Sequence, residues 1–214
     1  MKYFNSYKLF HGINQFRNTV ILILINLVIL AGTGVAVRVS DSEAFCGFMT
    51  GSMPLICGAL VAAACYAMIC NVFSGVMRTN SGYRFFRSIA DGAEHFRRGI
   101  IAANMLSLIP IALYAAVGGV LFQHFIIIIM TVTLLFMNGL VNLTGHIKAP
   151  WLRIAVFAVI GFAYGFYAGA NDSEGFVELP FNVTVIVCAV TAVFYIISLI
   201  VVAVRAEKLW NKED

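Results

Sequence analysis

Long apolar stretches separated by short polar segments set the pattern of this chain. Six of them approach the roughly 20 residues that a helix needs to cross the hydrocarbon of a bilayer. They run from about Thr19 to Val37, Pro54 to Met77, Gly99 to Phe122, Ile126 to Gly145, Ile154 to Ala170 and Val183 to Val204, and none contains Asp, Glu, Lys, Arg or His. The pattern predicts an all-α polytopic membrane protein with six transmembrane helices. Residues 1–18 are expected to form an amphipathic cytoplasmic or interfacial helix, 19–204 the transmembrane domain with a cytoplasmic loop over 78–98, and 205–214 a cytoplasmic tail. A long polar and aromatic leader precedes the first run, whose apolar core exceeds that of a signal peptide, so the first run is expected to remain as a span.

Composition agrees. Of 214 residues, 61% are hydrophobic and 11% charged, against about 25% charged in an ordinary soluble domain. The charges are also segregated. Lys2, Lys8 and Arg17 precede the first run, and Arg78, Arg84, Arg87, Arg97 and Arg98 lie between the second and third. Lys148 and Arg153 separate the fourth and fifth, and Arg205, Lys208 and Lys212 follow the sixth, which leaves Arg38 alone on the other side. Basic loops stay in the cytoplasm, so both termini are expected there and the localisation is a cell membrane, multi-pass. The net charge of +4 is accounted for by topology and implies no nucleic-acid partner.

Catalytic chemistry finds little support. The four histidines (His11, His95, His124 and His146) are dispersed, and no CxxC, HExxH or G-x-x-x-x-G-K-[ST] occurs. The chain is therefore read as no enzyme, with no metal and no cofactor, and any ATPase that drives it is a separate chain. Cys57, Cys65, Cys70 and Cys188 fall in apolar runs and Cys46 in an outer loop, which favours free thiols.

The cytoplasmic loop carries the most pattern. Read as a helix, Tyr83 to Ala90 divides into an apolar arc holding Phe85, Phe86 and Ile89 and a polar arc holding Arg84, Arg87 and Ser88. Asp91 to Glu94 then has the form of a capping box, so a new helix is expected to start at Gly92 and enter the third span unbroken. Glu94 and Arg98 stand at i,i+4 in the favourable order. Before the first span, Tyr3, Tyr7, Phe10 and Ile13 are spaced to place an aromatic face in the headgroup region.

This arrangement resembles the membrane subunits of type-2 ABC exporters, the ABC-2 permease class. That class has six spans with both termini inside, an N-terminal elbow helix, and a coupling helix after the second span. The corresponding residues here are Arg84 to Asp91 followed by Glu94 to Ile100, with Ile89 and Ala90 where the class pattern has leucine and proline. The resemblance implies a permease subunit of an ATP-driven exporter, with Arg84, Phe85, Phe86, Arg87, Asp91 and Glu94 docking a separate P-loop ATPase. It also implies a second membrane subunit. Gly161, Gly165 and Gly169 form a smooth face in the fifth run that suits close helix packing, and the resemblance makes this a subunit interface. Asn138 and Asn142, at i,i+4 in the fourth run, are candidates for a substrate path, although intramembrane asparagines more often join helices. Two alternatives remain open: the substrate-binding membrane subunit of a vitamin-uptake system, and a membrane assembly factor without transport.

Overall fold

The computed structural model describes residues 2–74, 88–122, 124–145 and 181–211. Six helices lie among them: α1 Lys2–His11, α2 Ile13–Val39, α3 Glu43–Ser74, α4 Gly92–Leu121, α5 His124–Thr144 and α6 Phe181–Asn211. Five of them, α2 to α6, are long and apolar enough to cross a membrane. The span expected over 154–170 lies outside the described residues, as do Arg84 to Arg87 and the glycines at 161, 165 and 169.

Helix is the form that lets an apolar segment satisfy its own backbone where water is absent. Hydroxyls within these segments follow the same rule. Thr33, Thr131, Thr133 and Thr144 donate to the carbonyls of Ile29, Ile127, Ile129 and Leu140, each one turn back, at 2.7–2.9 Å. Side chains such as Val28, Val120, Ile186, Val190 and Ile200 are left exposed on the outer faces. So much apolar surface needs a lipid rather than an aqueous solvent.

The packing fixes how the helices run. α2 meets α3 antiparallel, with the Asn26 amide donating to the Cys57 carbonyl at 3.0 Å. α3 meets α4 antiparallel, with the Tyr114 hydroxyl donating to the Pro54 carbonyl at 2.8 Å and the Cys65 thiol reaching the Ser107 carbonyl at 3.4 Å. α4 meets both α5 and α6 antiparallel: Asn104 bonds Asn142 and Tyr195. It follows that α5 and α6 lie side by side and parallel, and their own contacts agree. Thr131 lines a cavity with Cys188, Phe136 packs on Phe194 with centroids 5.0 Å apart, and Asn142 reaches Ser198. Gly139 makes this approach feasible, because a Cβ there would stand 2.6 Å from the Phe194 ring.

Three helices differ from the sequence expectation. α3 begins at Glu43, eleven residues before Pro54, and α6 continues past Val204 to Asn211. The N-terminal segment divides at Gly12, whose φ of 70° is a conformation that glycine adopts without strain. The resulting turn lays α1 against the bundle. Its aromatic face was expected in the headgroups, but Tyr7 and Phe10 are buried in a cluster with Ile69, Val72, Phe73, Phe96 and Ile100, while Tyr3 stays exposed. The first turns of α4 present Phe96 and Ile100, an apolar surface that α1 covers in place of lipid. Trp210 of α6 joins the same cluster, so residues near both ends of the chain meet at one end of the bundle.

Candidate functional site

Two groups of polar side chains lie inside this bundle. The first joins α4, α5 and α6 in the interior. Asn104 and Asn142 exchange two amide hydrogen bonds, each 2.9 Å long. The Asn104 amide nitrogen also donates to the Ile100 carbonyl at 3.0 Å, and its oxygen accepts from the Tyr195 hydroxyl at 3.1 Å. Asn142 donates in addition to Ser198 at 3.3 Å, and Ser198 donates to the Tyr195 carbonyl at 2.7 Å. Asn138 donates to the Ser107 hydroxyl at 3.0 Å, and Ser107 donates to the Asn104 carbonyl at 2.8 Å.

Asn104, Ser107, Asn138, Asn142 and Ser198 are all buried, and both oxygen and nitrogen of the Asn104 amide are engaged. An unpaired amide in such surroundings would be costly. Here the groups satisfy one another, which makes the network a clamp across helices. The candidate path residues Asn138 and Asn142 are thus placed together, each with protein partners. Asn142 also forms the inner end of a cleft between α5 and α6. The partners Ser107, Tyr195 and Ser198 were not singled out from the sequence. Their signal is spacing: Asn104 with Ser107 and Tyr195 with Ser198 are i,i+3 pairs on one helix face, as Asn138 and Asn142 are an i,i+4 pair.

The second group ties α1 to the bundle. His11 Nδ1 lies 2.9 Å from the Asn71 amide nitrogen, which can only donate, so the imidazole is neutral and Nε2 carries its proton. Ser6 Oγ, which donates to the Lys2 carbonyl at 3.0 Å, lies 3.0 Å from His95 Nδ1. The His11 ring stacks on Tyr7 with centroids 4.9 Å apart. Burial pushes the His11 pKa down and the Tyr7 pKa up. The Tyr7 hydroxyl and His11 Nε2 are buried and have no hydrogen-bond partner among the described residues.

Of the expected docking residues, Asp91 and Glu94 are described. α4 does start at Gly92, by a different device from the expected capping box. Asp91 has φ 54° and ψ 29°, the left-handed conformation, and its side chain makes no cap hydrogen bond. Its carbonyl instead accepts the His95 N–H at 3.0 Å. Glu94 cannot reach back to close a capping box because Arg97 and Arg98 hold its carboxylate at 2.7 and 2.8 Å. No cluster suited to a metal occurs among the described residues.

No family model, curated protein or solved structure matches this chain.

Proposed function

We propose that the chain is a permease subunit of an ATP-driven exporter, crossing the membrane six times, with residues 2 and 211 on the cytoplasmic side and the ATPase on separate chains. The observation that carries this reading is α4. It is a 30-residue helix that begins at Gly92, inside the basic loop 78–98, and continues to Leu121. Its first turns are gripped by α1 through Phe10 and Phe96, whose ring centroids lie 6.2 Å apart, and by Trp210 of α6. A displacement at the loop would reach the third span and both neighbouring helices together, as a partner-driven permease requires.

The six crossings find support in α5 and α6. Both are candidate spans and they run parallel, so the chain that leaves Thr144 at one end of the bundle has to return to the other end before Phe181. The distance is the length of α5, roughly 30 Å at 1.5 Å per residue, which matches the hydrocarbon thickness. The polar interior favours a second reading. The amides of Asn104 and Asn142 face each other and not a water-filled path, which suits a membrane assembly factor.

Copurification separates the two. An exporter subunit should bring down a P-loop ATPase at normal expression, and Phe85→Ala with Phe86→Ala should release it while insertion is unchanged. A chain that brings down no ATPase, or a double variant that keeps it fully, would overturn the permease reading.

A further inference from the structure

Two clefts flank the cytoplasmic end of α6, and they differ in sign. The cleft toward α4 is lined by Asp91, Glu94 and Glu207 together with Arg97. The cleft toward α5, of about 300 Å³, is lined by Arg205 and Lys208 over Leu143, Val201, Val202 and Leu209, and holds no carboxylate among its described residues. Arg205 and Lys208 stand at i,i+3 on one face of α6, immediately after the apolar run ends at Val204. Both are exposed, and neither has an ion pair or hydrogen bond among the described residues. Arg97 and Arg98, at the same end of the bundle, are by contrast both paired with the Glu94 carboxylate.

We infer that the α5–α6 cleft binds an anionic phospholipid of the cytoplasmic leaflet, with Arg205 and Lys208 on the headgroup phosphate and an acyl chain along Leu143, Val201 and Leu209. Depth, charge and shape agree on this occupant. Long basic side chains at the end of a span place their charges at the headgroup level while their stems cover apolar surface. The cytoplasmic leaflet is the anionic one, and each basic residue near it strengthens lipid binding by about fivefold, hence by about 30-fold for the pair. The volume is at the low end of ligand pockets, so it suits a headgroup and the first part of a chain. A soluble anion would satisfy the cations and leave those walls bare. This inference is independent of the transport reading.

Native mass spectrometry of the full chain tests it, with dioleoyl phosphatidylglycerol and dioleoyl phosphatidylcholine as probes. The wild-type protein should retain phosphatidylglycerol about 30-fold more tightly. Arg205→Gln with Lys208→Gln should reduce its retention to that of phosphatidylcholine. Lys2→Gln with Lys8→Gln removes the same charge elsewhere on the cytoplasmic end and should leave the preference intact. Leu143→Trp fills the cleft while keeping both cations and should weaken retention of both lipids. Equal retention of the two lipids by the wild-type protein would overturn the site, as would an equal loss from the Lys2 and Lys8 variant, which would indicate diffuse attraction. Displacement of phosphatidylglycerol by inorganic phosphate, with Leu143→Trp having no effect, would mean that the cleft reads a free anion, and it would overturn the lipid assignment.

Discussion

At the scale of single residues, the Asn104–Asn142 pair decides whether the interior is a clamp or a path. Each amide presents both a donor and an acceptor, and the two bonds between them run at 2.9 Å. Asn142→Leu removes one partner and leaves part of the Asn104 amide unpaired, at a cost of about 1–3 kcal/mol. The double substitution to leucine removes both needs at once. A double-mutant cycle on unfolding in mixed detergent should therefore give a coupling of about 0.6 to ~1.7 kcal/mol, the range of intramembrane hydrogen bonds. Strictly additive costs would dissolve the clamp and return Asn142 to the role of a path residue. The sequence pointed to Asn138 and Asn142 but not to their partners. An amide in an apolar run signals that some partner exists, because burying it alone is expensive, whereas the partner's identity depends on which helices are neighbours. Tyr195 and Ser198 stand in an apolar run of their own, with nothing local to connect them to Asn104, more than ninety residues away.

At the scale of elements, the docking of α1 depends on protons. The neutral His11 ring accepts from Asn71, and its burial disfavours the charged form. An undocked α1 would expose His11, whose pKa would return to about 6.5. The docked state therefore binds fewer protons below that value, so docking is at full strength above about pH 6.5 and weakens as pH falls toward the depressed value. The slope is up to about 1.4 kcal/mol per pH unit. Around the ring stand Tyr7 of α1, Phe16 of α2 and Asn71 of α3, and further along α1 Ser6 meets His95 of α4. Amide hydrogen exchange of Lys2–His11, corrected for the intrinsic effect of pH, should accelerate as pH falls from 7 to about 5.5. His11→Phe keeps the stacking on Tyr7 and should flatten that response. A response that persists in His11→Phe would assign it to another group and overturn the role of His11. The docking itself could not be read from the sequence. An aromatic stripe at helical spacing looks the same whether lipid or protein covers it, and the choice rests on Phe96, which becomes available because α4 extends beyond the span. The start of α4 was legible at Gly92 although the mechanism was not: aspartate tolerates the left-handed conformation as well as it caps.

At the scale of the whole molecule, the sidedness of the bundle follows from two observations that do not depend on each other. α1 and the end of α6 both contact Phe96, with ring centroids 6.2 Å from Phe10 and 6.0 Å from Trp210, so the two ends of the described chain share one end of the bundle. That end also carries Lys2, Lys8, Arg17, Arg97, Arg98, Arg205 and Lys208, whereas the opposite end has Arg38 with Asp41 and Glu43. Arg38 is engaged there, donating to the Val120 carbonyl. On the proposed topology, the positive-inside rule predicts residues 2 and 211 in the cytoplasm and Cys46 outside. Five of the expected spans, those realised in α2 to α6, were legible because each run has about the length of a bilayer. The backward extension of α3 to Glu43 was not, since Gly47, Thr50, Gly51 and Ser52 break the apolar pattern. An impermeant maleimide applied to intact cells should label the protein, and Cys46→Ser should abolish that label, because the other outward-half cysteine, Cys188, lies within α6 among apolar side chains. Tags added at either end should be cut by protease only in inverted vesicles. Labelling of Cys46 that requires permeabilised cells would invert the molecule. Tags cut from opposite faces would mean an odd number of crossings and would overturn the six-span reading.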